Sequence, residues 1–228
     1  MAILSLLILI SASLHIRAEY RGPRWQVYLF KPLTTLLIIV LALTATEPVS
    51  PFYQTMIVAG LIFSLGGDVF LMLPSDRFIW GLGSFLIAHL FYIIAFMYPC
   101  GIILSPIVLA LYLTYGAVMV RQLWPHIGGL RIPVLIYMIA ILVMGWQALE
   151  RWSLLQTNAA LLGAIGATLF VISDSALALD RFRARFASAR LIVLGTYFSA
   201  QWLLALSINN SVNNFVNIFV NTNGWPWA

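Results

Sequence analysis

The chain has 228 residues, 62% of them hydrophobic and only 8% charged, with a mean hydropathy of +0.99 and a formal net charge of +5. That balance excludes a soluble globular core and leaves no stretch for an aqueous catalytic domain, so the chain reads as a membrane protein. Cys100 is the single cysteine, which rules out an internal disulfide framework or a cysteine metal cluster.

Apolar stretches run over about 1–16, 29–47, 54–73, 79–98, 101–120, 132–149, 156–178 and 190–208. Breaks such as Glu47-Pro48, Leu73-Pro74-Ser75-Asp76, Tyr98-Pro99 and Trp124-Pro125 separate them. A spanning helix needs roughly 20 apolar residues, within a range of about 17–25. The count is therefore about eight spans, the first being the shortest. That first run has no basic residue before it and Arg17 after it, the reverse of a signal peptide's charge order, and so reads as an uncleaved span. The expected fold class is all-α: a polytopic membrane bundle of about eight transmembrane helices, forming one domain over 1–208. Residues 209–228 make an Asn-rich tail ending in Trp225-Pro226-Trp227, with no function assigned to it.

The positive charge is explained by topology, and no nucleic-acid partner is expected. Arg17, Arg21, Arg24 and Lys31 fall between spans one and two, Arg77 between three and four, Arg121 and Arg131 between five and six, and Arg181, Arg183, Arg185 and Arg190 between seven and eight. Only Arg151 falls on the opposite side. Positively charged connections stay cytoplasmic, so both termini are expected outside the cytoplasm, in a bacterial inner (plasma) membrane.

Two carboxylates interrupt the apolar runs: Asp68 in span three and Asp174 in span seven. Burying one costs at least about 2.5 kcal/mol even on lenient insertion scales, which makes each a functional-site candidate. Both lie four or five residues from the same end of their spans, hence at similar depth. Other polar groups share helix faces at three- and four-residue spacings: Ser64 with Asp68, Phe85 with His89 and Tyr92, Tyr197 with Gln201. A short repeat links the two regions, since Asp68-Val-Phe-Leu71 with Asp76-Arg77-Phe78 parallels Asp174-Ser-Ala-Leu177 with Asp180-Arg181-Phe182. It suggests two parallel four-helix halves.

Each polar residue also has a plainer use. His89, Tyr92, Tyr197 and Gln201 can serve as interhelical hydrogen-bond partners. Lys31 can extend to the interface, and Gly66-Gly67 suits close helix packing better than a phosphate loop. There is no His-Glu-x-x-His, no Gly-x-Ser-x-Gly and no Cys/His metal spacing.

Five separated motifs carry a family resemblance: Lys31-Pro32, Ser64-Leu-Gly-Gly-Asp68 with Leu71-Met72, Gly81-Leu-Gly-Ser-Phe85 with His89 and Tyr92, Ser173-Asp174 with Leu177-Ala178, and Tyr197 with Ala200-Gln201. Together they resemble the signature of YhhN-type lysoplasmalogenases over the whole membrane region, but not the tail after Ser207. The resemblance implies an eight-span enzyme that hydrolyses the vinyl ether of lysoplasmalogens to a fatty aldehyde and glycerophosphoethanolamine or glycerophosphocholine. Its substrate is a lysophospholipid in a setting of membrane lipids, and no cofactor or metal is expected. Asp68 and Asp174 are the expected catalytic pair, with Lys31, His89, Tyr92, Tyr197 and Gln201 as substrate-binding residues.

The residues make that chemistry sensible. Vinyl ether hydrolysis begins with a proton added to the outer vinyl carbon and leaves an oxocarbenium ion for water, a task that two carboxylates can divide as they do at an acetal centre. Lys31, with a loop arginine, can hold the phosphate. The same intramembrane carboxylates also fit a proton- or cation-coupled transporter, and a lipid-sensing scaffold with the aspartates merely paired is a third reading.

Overall fold

The computed structural model describes residues 1–75 and 77–210. Asp76 of the repeat and the tail beyond Asn210, with Trp225-Pro226-Trp227, lie outside the described residues. Among the described residues there are eight helices long and apolar enough to cross a membrane: α1 (Ala2–Arg21), α2 (Arg24–Leu43), α3 (Pro51–Met72), α4 (Phe78–Met97), α5 (Pro106–Leu123), α6 (Arg131–Leu155), α7 (Asn158–Ala178) and α8 (Ala189–Leu206). No strand accompanies them there, and the protein is a multi-pass, all-α membrane protein.

Local chemistry sets several helix starts. Pro51 and Pro106 begin α3 and α5, where a missing backbone N–H costs nothing, and Ser50 accepts from Tyr53 N at 3.0 Å. Thr157 caps α7 by accepting from Ala160 N at 3.2 Å. Gln156 ends α6 in the left-handed region, at φ 51°.

Six helices close a ring in the order α2, α3, α4, α6, α7, α8, with α8 returning to α2. The two others stand outside it, α1 on α2 and α8, and α5 on α6. Exchanging α1–α4 for α5–α8 maps the ring neighbours onto one another and α1 on α2 onto α5 on α6, the parallel two-half pattern that the short repeat suggests, while the packing of α1 on α8 has no such counterpart. Phe78 and Phe182, equivalent in that repeat, meet edge to face at 5.8 Å, and Arg181 lies 3.9 Å over Phe78.

Close packing of α3 on α4 rests on glycines. A Cβ at Gly60 would stand 2.2 Å from the Tyr92 ring, and one at Gly67 would stand 2.4 Å from Phe85. Without side chains there, both aromatic rings lie against the α3 backbone.

The far end of the bundle, opposite the arginine-rich connections, differs from the sequence reading. Helix α6 runs on to Leu155 and carries Glu150 and Arg151 inside it, both at most 1% exposed. Arg151 is thus a buried group and not a surface topology charge. Its guanidinium lies 4.4 Å over the Tyr53 ring, and its Nε donates to Tyr98 O at 3.4 Å. Glu150 accepts from Ser105 N, Ser105 Oγ and Trp146 Nε1 at 2.8, 2.6 and 3.0 Å. The start of α2 differs as well. It begins at Arg24, so Lys31 and Pro32 lie inside the helix rather than at its opening.

Candidate active site

Asp68 and Asp174 each stand four residues before the last α-helical residue of α3 and α7, Met72 and Ala178. Both line one cavity of about 90 Å³ at the basic end of the ring, together with Lys31, Tyr137 and Tyr197. The rest of its wall is mostly apolar, including Leu82, Phe85, Met119, Met138, Val171 and Leu194.

The two carboxylates are held alike but by different chemistry. Asp68 receives its partners from α2 and α8: Lys31 Nζ lies 3.3 Å from Oδ1, while Thr35 Oγ1 and the Tyr197 hydroxyl donate to Oδ2 at 2.7 and 2.8 Å. Asp174 receives its partners from α6 and α4, which are the equivalent helices in the other half. The Tyr137 hydroxyl donates to Asp174 Oδ2, and His89 Nε2 stands 3.7 Å from the same oxygen. A cation and two hydroxyl donors favour the charged form of Asp68 against the cost of its burial, whereas Asp174 faces a phenol and an imidazole.

Behind Asp68 runs a directional chain of hydrogen bonds. Tyr197 takes a bond from Gln201 Nε2 at 3.2 Å, Gln201 Oε1 accepts from Tyr92 at 2.9 Å, and Ser64 Oγ stands 3.4 Å from the Tyr92 hydroxyl. Behind Asp174 the chain is shorter. His89 Nε2 and the Tyr137 hydroxyl are 2.9 Å apart, and because that hydroxyl's one proton goes to Asp174, the imidazole donates.

Of the residues singled out in the sequence, Asp68, Asp174, Lys31 and Tyr197 line the cavity. His89, Tyr92 and Gln201 are fully buried behind it: His89 meets it at Tyr137 and Asp174, and Tyr92 and Gln201 through Tyr197. Tyr137 and Thr35 are site residues that the motifs do not contain. Depth is the signal that finds Tyr137, since it lies six residues into α6 from Arg131, level with the carboxylates.

Among the described residues, no group of three or more His, Cys, Asp or Glu side chains is disposed to hold a metal ion.

Comparison with known proteins identifies the family of the chain. The chain is 35% identical over 200 residues to the Escherichia coli O6:H1 protein named "Uncharacterized membrane protein YhhN", covering 87% of this chain and 95% of that one. It is 33% identical to "Lysoplasmalogenase TMEM86B" of Rattus norvegicus over 189 residues, 81% of this chain and 74% of the relative. "Lysoplasmalogenase TMEM86A" of Bos taurus is 33% identical over 159 residues, 67% of this chain and 65% of the relative. No solved structure matches. The sequence model of the YhhN family matches residues 26–208, taking in all of the cavity-lining residues, and the chain therefore belongs to the YhhN family.

Proposed function

We propose that this protein is an integral-membrane lysoplasmalogenase, with Asp68 and Asp174 as its catalytic pair. The observation that carries the reading is that both carboxylates line one largely apolar cavity at equal depth. Relatives named lysoplasmalogenase add the substrate class.

In this mechanism Asp174 is the acid. It has no lysine or arginine partner within 4.0 Å among the described residues, and with Tyr137 bonded to Oδ2, its Oδ1 is left to carry the proton. That proton adds to the outer vinyl carbon, and the electron pair of the double bond forms the new C–H bond. The inner carbon becomes an oxocarbenium ion facing the Asp68 carboxylate. Water adds to it, giving up a proton to carboxylate, and the hemiacetal then breaks its bond to the glycerol oxygen, which takes up a proton. One water is consumed, and aldehyde and glycerophospho-alcohol leave. Asp68 stabilises positive charge as it develops, the role in which fixed electrostatics contribute most.

Lys31, Thr35 and Tyr197 act by holding Asp68, while Tyr137 and His89 act by holding Asp174. Tyr92 and Gln201 brace Tyr197 from behind. The basic end, with its eleven Lys and Arg, faces the cytoplasm in this reading. Beyond the carboxylates the ring is filled by Ile57, Leu61, Phe96 and Met144, each at most 1% exposed, so the cavity is closed towards the far end of the bundle.

The deciding experiment traces the atoms. Purified protein given lysoplasmalogen in D₂O is expected to release aldehyde with one deuterium on the carbon next to the carbonyl. In ¹⁸O-water, label is expected in the rapidly reduced aldehyde and not in the glycerol oxygen. Label in the glycerol oxygen would exclude this mechanism, and absence of aldehyde would exclude the function.

A further inference from the structure

Lys31 and Leu71 line two cavities at once. One is the carboxylate cavity. The other, about 530 Å³, opens at the basic end between the last turn of α1, the first turns of α2, the end of α3 and the start of α8. Arg24, Arg190, Glu19 and Tyr28 are part of its wall.

Its charge is cationic, with Lys31, Arg24 and Arg190 against the one carboxylate of Glu19. Glu19 is already matched: Arg190 Nη1 donates to its backbone oxygen at 2.9 Å and stands 3.9 Å from its carboxylate, while His15 Nε2 lies 4.0 Å away on the other side. Arg190 is nonetheless 63% exposed and keeps donors to spare. Arg24 has no side-chain hydrogen bond or ion pair among the described residues. Lys31 gives one contact to Asp68, and its ammonium retains two further donors. Three cations with unused donors on the wall of one cavity suit an oxyanion of phosphoryl type.

Resting on the lysoplasmalogenase reading, we infer that this vestibule is the site for the phosphodiester of the substrate's head group. Arg24 and Arg190 hold the phosphate oxygens, and Lys31 bridges phosphate and Asp68. Only the three glycerol carbons separate the phosphate from the ether oxygen. A lysolipid with its phosphate between the arginines therefore passes its vinyl ether beside Leu71 into the carboxylate cavity. Lys31 then reports phosphate occupancy directly to the carboxylate that it pairs with.

The test is equilibrium binding to the detergent-purified full chain. The probes are a saturated 1-O-alkyl glycerophosphoethanolamine and a 1-O-alkylglycerol that lacks the phosphate. Arg24→Gln and Arg190→Gln are each expected to weaken binding of the first about tenfold and to leave the second where it was, the loss expected of one charge-assisted hydrogen bond. Arg24→Gln breaks no internal contact, so it keeps the test decisive should Arg190→Gln fold poorly. Equal losses for both probes, or none, would overturn the proposal. Displacement of the lysolipid by millimolar inorganic phosphate would assign the vestibule to free phosphate and overturn the head-group assignment; persistence of binding supports it. Aldehyde release from authentic lysoplasmalogen is measured in parallel. Arginine-dependent binding without aldehyde leaves the phosphate site standing and removes the hydrolase reading. Aldehyde with arginine-independent binding does the reverse.

Discussion

Lys31 Nζ lies 3.3 Å from Asp68 Oδ1, where the aspartate side chain is only 1% exposed. A charge so placed is tolerable because its partner is there. Breaking such a pair from one side typically costs about 3–5 kcal/mol, since it leaves an uncompensated buried charge. Lys31→Met is therefore expected to lower the apparent melting temperature of the purified protein markedly, and Asp68→Asn added to the same chain is expected to restore most of the loss. A single variant as stable as the parent would show that the pair does not matter to folding.

Asp68→Asn and Asp174→Asn keep the volume of each side chain and can still accept hydrogen bonds, but cannot exchange a proton at neutral pH. Each is expected to lower kcat for aldehyde release by about 10²–10⁴, the usual worth of general acid–base catalysis, in protein that remains extractable and folded. Near-parental turnover in either variant would remove that aspartate from the mechanism.

Tyr137 links His89 to Asp174 and lines the cavity as well. Tyr137→Phe leaves the buried imidazole donor unmatched and the carboxylate without its phenol. Loss of one such partner costs about 1–3 kcal/mol, so kcat is expected to fall about tenfold or more. Because the phenol acts through Asp174, KM is expected to stay close to its parental value and the pH profile of kcat to move. A change confined to KM would make Tyr137 a substrate contact instead.

The motifs revealed the carboxylates and, in Lys31, Tyr197 and His89, part of what touches them, but neither Thr35 nor Tyr137. Asp68 and Asp174 stand out because charge is costly in lipid at any orientation, and the eight spans stand out because hydropathy depends on length alone. Which faces meet is another matter. In a bilayer the outward face is as apolar as the inward one, so α6 gives no periodic sign that Tyr137 points to α7 rather than to lipid. Arg151 misleads for a related reason. The apolar run ends at about residue 149 and leaves Arg151 beyond the span, and only the fold carries α6 on and brings Tyr53 and Tyr98 O around it. The ring order, with α1 and α5 left outside, is likewise a property of tertiary packing alone.

Topology can be tested with the native thiol. Cys100 is partly exposed in the connection between α4 and α5, at the far end from Arg24 and Arg183. With the basic end cytoplasmic, an impermeant thiol reagent outside intact cells is expected to label Cys100. Cysteines introduced at positions 24 and 183 in a Cys100→Ser background are expected to stay unlabelled until the cells are opened. The reverse pattern would invert the protein in the membrane.

The cavity between the carboxylates has a volume of about 90 Å³, less than the roughly 150 Å³ of an engineered protein cavity that takes up one benzene. A vinyl ether fits such a space, but the hydrocarbon of a lipid does not. On the proposed function, the alkyl tail stays dissolved in the surrounding bilayer throughout turnover. Catalysis then takes place in a two-dimensional solvent: its rate tracks the mole fraction of substrate within the membrane rather than bulk concentration, and tails of differing length should compete on nearly equal terms.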